Sequence, residues 1–331
     1  MKRWIIYTVG SIVGGIVLLG GYGYWSIDPK NHFEKINIPV LAVSAATPNE
    51  IPIVTSPSPS PPTSFSEQTH TESKDIKAFN VLVIGIDARA DEVSRSDVIM
   101  VVHVIPEQKK ANIVSLPRDT RVHINGVGYT KLTHAHFIGE TQGGNRGGTE
   151  ELVQVVSDFL DVQINYFVKT NFVGFKNFID TIGGVDVLVD QDIHLRQNKK
   201  DLSAGEQHID GDMALSLVRE RWAFPEGDFG RQKEQSKILK SVAQELLAPN
   251  HILETASQIP TLRKDIVDTN FTDSDVLSLL RLFKGMSQDE FQYAQIAGKR
   301  GYAMDPLVKS NLYYWIPDDV QVKGLSEKLL K

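Results

Sequence analysis

The sequence predicts an α/β protein: a three-layer α/β/α sandwich with a central mixed sheet, preceded by one N-terminal transmembrane helix. Three observations predict it. Short apolar runs alternate with longer amphipathic stretches from about residue 80 onward. The first of those runs are almost uninterrupted, as in strands covered on both faces. A long uncharged apolar segment stands ahead of them all.

That segment is residues 4–27, WIIYTVGSIVGGIVLLGGYGYWSI, with Trp4, Tyr22, Tyr24 and Trp25 at its ends. About 20 apolar residues span a hydrocarbon core, and aromatic rings settle at its interfaces. Lys2 and Arg3 keep residues 1–3 in the cytoplasm, so the chain is expected to be a single-pass membrane protein with everything after the anchor outside the cell. A cleaved signal peptide is the competing reading. Its apolar core would be shorter, and the small-residue stretch LAVSAATP lies too far downstream at 41–48. Residues 28–77 form an extracellular region containing a Pro/Ser-rich spacer, TSPSPSPPTSFSEQTHTESK, whose composition cannot bury enough surface to fold. The folded domain is expected over 78–331.

Within the domain, NVLVIGID (80–87), DVIMVVHVI (97–105) and ANIVSLP (111–117) read as buried strands. GGTEELVQVVSDFL (147–160) reads as a helix with Thr149 as its cap, and NFVGFKNFIDTIGG (171–184) as one that ends on glycines. The strand-like NYFVKT and VDVLVD lie between these helices and after the second. GDFGRQKEQSKILKSVAQELL (227–247) is a long helix whose positions 228, 231, 235, 238, 242 and 246 share one face. Asp228, Arg231 and Gln235 thus occupy the polar start of a core-facing stripe, where a pocket wall is expected. Helix-like TDSDVLSLLRLFKGM (272–286) and strand-like FQYAQIAG (291–298) belong to the same domain.

The chain has no cysteine, which excludes thiolate nucleophiles, Cys-ligated zinc and disulfides. Its net charge of -6 offers no general attraction to nucleic acid, so a basic site has to be a local cluster. The sequence carries no GxSxG, HExxH, GxxxxGK[ST] or dinucleotide motif. His134 and His136 read as a strand or loop surface rather than metal ligands, because no third ligand stands nearby. Asp and Arg instead recur at element ends: Asp87 and Arg89, Arg95 and Asp97, Arg118 and Arg121, Arg219 and Arg221. One arginine after a strand is usually a solvated turn residue. Several, with two carboxylates, suit an anion bound by guanidinium forks and a hard divalent cation. If the chain at 118–121 is extended, Arg121 leaves the opposite side from Arg118 and lies at the rim. Arg219 and Arg221 share a side only if the chain there is extended.

GIDAR, SRSDVIMVV, SLPRDT, the lysine of KLTHAH, IGGVDV, VRER and DFGRQKEQ occur in the order found in the LytR-CpsA-Psr family, which the chain resembles over about residues 80–247. The resemblance implies a phosphotransferase that takes an anionic glycopolymer, of the wall teichoic acid or capsular polysaccharide type, from an undecaprenyl pyrophosphate carrier. It implies attachment through a phosphodiester to the 6-hydroxyl of N-acetylmuramic acid in peptidoglycan. Asp87 and Asp97 then match the magnesium-holding carboxylates, with manganese as an alternative ion. Arg95, Arg118, Arg219, Arg221, Arg231 and Gln235 match the pyrophosphate contacts, joined by Lys131. Arg118, Arg219 and Arg221 would clamp the developing charge, and Asp87 is a candidate for taking the hydroxyl proton. An apolar tunnel for the polyprenyl tail is also implied, with Val101, Val153, Phe172 and Ile182 as candidate lining or as plain core. Thr133, His134, His136, Trp222 and Pro225 stand where the family pattern differs, which bears on specificity. Two other readings stay open: a polyprenyl pyrophosphate hydrolase using the same site, and a non-enzymatic wall-binding or regulatory module, which requires the arginines to be scattered.

Overall fold

Strands β1 (Phe79–Ile86), β2 (Ser96–Ile105) and β3 (Lys110–Ser115) are the three apolar runs, paired antiparallel in sequence order. The computed structural model describes residues 28, 29, 32, 40–42, 77–88 and 93–331. The anchor at 4–27 and nearly all of the spacer lie outside the described residues. Among the described residues no helix is long and apolar enough to cross a membrane.

β6 (Tyr166–Asn171) joins β1 in parallel, β11 (Asp268–Thr269) adds to β6, and β12 (Phe291–Gln295) joins β3 in parallel. The result is a six-stranded mixed sheet ordered β11-β6-β1-β2-β3-β12. Pleating sends Leu82, Ile84 and Ile86 to one face and Phe79 and Val81 to the other. The first face packs on α1 (Thr133–Leu160) and α7 (Asp319–Leu329) through Leu152, Val156, Val322 and Leu329. The second packs on α5 (Ile252–Leu262), α6 (Asp273–Leu282) and the end of α4 (Asp228–Leu247), through Ile259, Leu280 and Leu247. Helices therefore cover both faces, and the residues beyond 250 complete the sheet edges and both outer layers.

α1 differs from the sequence reading. Helix begins at Thr133 and breaks only at Gly143 and Gly144, where φ is +64° at the second glycine. The two arms touch at Gly139 and Gly147, and a Cβ at Gly139 would run into the Gly147 carbonyl oxygen. Thr149 is thus no cap. It lies buried inside the second arm, where its hydroxyl donates to Asn145 O at 3.2 Å and accepts from Lys169. His134 and His136 are helical and buried rather than on a strand or loop surface.

VDVLVD forms β7 (Val185–Val189), but outside the central sheet: it pairs with β10 (Gly205–Ile209). With β8 (Ile193–Leu195), β9 (Lys200–Leu202), α2 (Phe172–Thr181) and α3 (Gly211–Arg219) it builds a second lobe around Ile179, Val187 and Leu217. α4 lies between that lobe and the sheet. Arg231, Gln235 and Ile238 are buried as the stripe predicts, but Gln232, Glu234 and Ser236 are buried as well, because the helix is covered on several sides.

The described residues between 28 and 42 lie against this domain. His32 Nε2 meets Asp275 Oδ1 at 2.8 Å, Leu41 N donates to Ile164 O at 2.8 Å, and Ala42 joins the core of the α1 face.

Candidate active site

β1, β3, β6 and β12 all run in one direction, so their carboxyl ends collect at one edge of the sheet. Open α/β sheets bind ligands outside that edge. Asp87 follows β1, Arg118 and Asp119 follow β3, and Phe172 follows β6. β2 runs the other way and so brings Arg95 and Asp97 to the same edge. A register shift between Gly85 and Ile86 accommodates the extra residue opposite β1.

Asp87 and Arg95 are tied by two hydrogen bonds: Arg95 N donates to the Asp87 carboxylate Oδ1 at 2.7 Å, and Asp87 N donates to Arg95 O at 3.1 Å. Asp97 accepts from Arg118 Nη1. Arg118 stands in a turn over 117–120 closed by Thr120, whose N–H and hydroxyl both donate to Pro117 O, at 2.9 and 2.6 Å. The expected extended backbone at 118–121 is therefore absent. Arg121 is separated from Arg118 by that turn and by β4 (Arg121–Ile124), which pairs with β5 (Gly128–Lys131) and places the Arg121 guanidinium 4.6 Å from the Tyr129 ring centre.

Lys131 Nζ donates to Asp119 Oδ1 at 2.6 Å, and Arg118 Nε lies 3.9 Å from the other Asp119 oxygen. Arg231 Nη2 reaches Asp228 Oδ1 at 2.8 Å and Asp97 O at 3.4 Å; Arg221 Nε stands 3.6 Å from the same Asp228 oxygen. Four cations thus share the three carboxylates of Asp97, Asp119 and Asp228, an excess of positive charge in a chain of net charge -6. Arg231 is only 3% exposed. Burial, together with the nearby Arg221 and Arg118 charges, pulls it down to about 10 despite Asp228. Arg118 is also lowered by burial, but Asp97, Asp119 and Asp228 outweigh this and hold it above its ordinary value. The Nε groups of Arg118 and Arg231 are buried without a hydrogen-bond acceptor. A buried cation cluster short of acceptors is suited to a bound polyanion.

Arg219 lies over Phe172, its guanidinium 4.1 Å from the ring centre at the carboxyl end of β6. Gln235 donates to Val218 O at 2.9 Å, bracing the chain just before Arg219. The backbone at Glu220 is extended (φ −70°, ψ 137°), but Arg219 is the last residue of α3, and the two arginines meet different partners: Phe172 for Arg219 and Asp228 for Arg221. Glu220, 2% exposed, accepts from Arg221 N at 2.9 Å, Trp222 N at 2.8 Å and Arg196 N at 3.0 Å. Burial pushes its carboxyl up, and these backbone donors outweigh that and hold it below its ordinary value. Asp119 and Glu220 are the organising residues that sequence reasoning missed; each sits between or beside arginines it holds, and that adjacency was the available signal. His134 serves the fold: its Nδ1 is 2.7 Å from the Thr130 hydroxyl, which donates to Asp305. Val101 and Val153 lie in the hydrophobic core of the α1 face.

Asp87 and Asp97 are a donor set that fits a magnesium ion, because such an ion takes one or two carboxylates and completes its shell with water and phosphate oxygens. Among the described residues no group of three or more metal-binding side chains comes together.

The fold is shared with solved structures, and the sequence with curated relatives. A TagV structure from B. subtilis superposes at a TM-score of 0.66, with 29% identity over 76% of this chain and 96% of that one. A structure described as TagT bound to LI-WTA superposes at 0.61, with 26% identity over 76% of this chain and 89% of that one. A curated relative from Bacillus cereus, named polyisoprenyl-teichoic acid–peptidoglycan teichoic acid transferase TagU, is 28% identical over 99% of this chain and 97% of its own length. The family model described as LytR_cpsA_psr family matches residues 55–331, and the chain belongs to that LytR-CpsA-Psr family.

Proposed function

We propose that the protein is a transferase of phosphorus-containing groups that moves an anionic glycopolymer, of the wall teichoic acid or capsular type, from undecaprenyl pyrophosphate to the 6-hydroxyl of N-acetylmuramic acid in peptidoglycan. The carrying observation is the set of four cations around Asp97, Asp119 and Asp228 at the carboxyl ends of the parallel strands. The names of the relatives, a teichoic acid transferase and a TagT bound to LI-WTA, support the same substrate class. The active domain works outside the cell, held to the membrane by residues 4–27.

In the reaction the sugar hydroxyl oxygen bonds to the glycopolymer-side phosphorus. The bond from that phosphorus to the bridging oxygen breaks, its electron pair leaves with undecaprenyl phosphate, and the product is a phosphodiester. Charge accumulates on the equatorial and leaving oxygens, so fixed cations stabilise the transition state more than the ground state. Arg118, Arg219 and Arg221 supply those cations as planar forks. Arg95, Lys131 and Arg231 extend the positive surface along the pyrophosphate, while Gln235 and Glu220 hold the Arg219–Arg221 segment in place. Asp87 and Asp97 would hold magnesium, or manganese, which when bound offsets charge on the pyrophosphate oxygens. Asp87 is also the candidate to accept the hydroxyl proton.

The test is transfer of a short polyprenyl pyrophosphate glycan to peptidoglycan oligomers with and without a chelator. Glycan release without appearance on peptidoglycan would replace this reading with a hydrolase. Neither release nor transfer, with magnesium supplied, would leave only a binding module.

A further inference from the structure

Strands β13 (Gly298–Asp305) and β14 (Ser310–Pro317) form an antiparallel hairpin whose register pairs Arg300 with Trp315 and Tyr302 with Tyr313. Side chains alternate across a strand, so these four residues share one face. The opposite face carries Tyr314, fully buried, whose hydroxyl donates to Asp305 Oδ2 at 2.6 Å. The hairpin is thus anchored by one side and presents an aromatic and cationic plaque with the other. Tyr302 is 72% exposed and meets Tyr313 edge to face at 5.9 Å.

That plaque lines a cleft of about 350 Å³, completed by Pro117, Asp119, Glu226, Asp228 and Phe229. Asp119 and Asp228 are the carboxylates that hold Lys131, Arg118, Arg221 and Arg231, so the cleft opens directly beside the cation cluster. Its geometry is fixed. Phe229 packs on Trp315 at 4.5 Å, Gln295 donates to Phe229 O at 2.9 Å, and the Trp315 indole donates to Ile296 O at 3.1 Å. A second cleft of about 510 Å³ lies against the same Phe229 and Trp315, so the two together offer space for more than one sugar.

We propose that this hairpin face is the acceptor subsite, where a peptidoglycan glycan strand lies with its sugar rings on Tyr302, Tyr313 and Trp315. The assignment rests on the transferase reading and goes beyond it by choosing an occupant. Asp119 and Asp228 are committed to the cation cluster, and the other two charged residues of the lining, Glu226 and Arg300, balance each other. That balance gives a polyanionic glycopolymer no particular attraction and suits an amino-sugar chain whose lactyl carboxyls are amide-linked, with sugar hydroxyls that donate to Glu226. Flat aromatic faces offer the apolar side of a pyranose a large contact at little entropic cost. The donor pyrophosphate and the acceptor sugar thereby approach the same arginines from different sides, one cationic and one aromatic.

The purified 331-residue chain is titrated with a lipid-free tetrasaccharide of alternating N-acetylglucosamine and N-acetylmuramic acid, its lactyl carboxyls capped as amides, and transfer kinetics are recorded for both substrates. Tyr302→Ala is expected to weaken tetrasaccharide binding and raise the acceptor KM about tenfold, with the donor KM unmoved. Tyr302→Trp, which keeps a ring, is expected to restore both. Unchanged acceptor binding and KM in Tyr302→Ala and Tyr313→Ala would overturn the subsite. So would a rise confined to the donor KM, which would place the anionic polymer in the cleft. Wild-type chain that binds the tetrasaccharide through Tyr302 yet transfers nothing to it would overturn the transferase reading while leaving the subsite standing.

Discussion

Arg118 and Arg121 are three residues apart and do different work because a turn stands between them. Arg118 faces Asp97 and Asp119 at the sheet edge, whereas Arg121 stacks on Tyr129 of the β4–β5 hairpin. A lysine keeps the charge of Arg118 but not its planar fork, so Arg118→Lys should leave the melting curve in place and lower transfer about a hundredfold, ~3 kcal/mol. Arg121→Lys should retain near wild-type transfer in the same assay. Equal activity in the two folded variants would remove Arg118 from the clamp. Glu220 gives a second test at this scale. Its carboxyl lies below its ordinary value of 4.5, so its contribution to stability is complete above that pH and disappears as pH falls through the folded value. Glu220→Gln should therefore cost stability at neutral pH, on the order of 1.5–3 kcal/mol for bonds to a charged group. The difference from wild type should shrink in urea melts on acidification below about pH 4.5. A difference that grows on acidification would contradict the assignment.

At the scale of elements, the β13–β14 hairpin depends on one buried carboxylate. Asp305 accepts from Tyr314 OH at 2.6 Å and Thr130 Oγ1 at 2.7 Å through one oxygen, and from the Leu307 and Val308 amides at 2.9 Å through the other. Burial alone would raise it, but these donors prevail and hold it at about 2. Asp305→Ala leaves two hydroxyls and two amides without their partner and should destabilise the domain by about 2–4 kcal/mol. Hydrogen exchange in residues 298–317 is the measurement, and protection equal to wild type would show that the hairpin stands without its anchor. α1 is similarly tied: Lys169, fully buried, donates to Asn145 O and Oδ1 at 2.8 Å just past the Gly143–Gly144 break. Burial draws its ammonium down to about 8.

For the molecule as a whole, the described residues between 28 and 42 belong to the fold's surface and core. Ala42 pairs with Ile164, and His32 meets Asp275, itself the capping-box residue of α6. A chain beginning at residue 28 should therefore melt higher than one beginning at 76, by about 1–3 kcal/mol in urea unfolding. Identical midpoints would make those contacts incidental. The proposed topology has its own test: protease added to intact protoplasts should remove the domain. Survival of residues 78–331 until lysis would place it inside.

Much of this was legible in the sequence because it rests on short-range chemistry. Uninterrupted apolar runs identify β1, β2 and β3, since a strand covered on both faces has no polar side to show. The 3.6-residue period places Arg231, Gln235 and Ile238 on the buried face of α4. Motif order points to Asp87, Asp97, Arg118 and the Arg219–Arg221 pair. Tertiary structure alone decided the rest. VDVLVD reads as a strand either way, and only long-range pairing with β10 removes it from the central sheet. Gln232 and Glu234 are buried because the second lobe covers a face of α4 that its own periodicity marks as polar. The meeting of Arg118 and Arg231 around Asp97 joins residues more than a hundred positions apart. The aromatic face beside them exists only because cross-strand register sets Tyr302 against Tyr313 and Arg300 against Trp315. Local propensity determines which elements form, whereas pairing and packing between distant segments determine which side chains share a site.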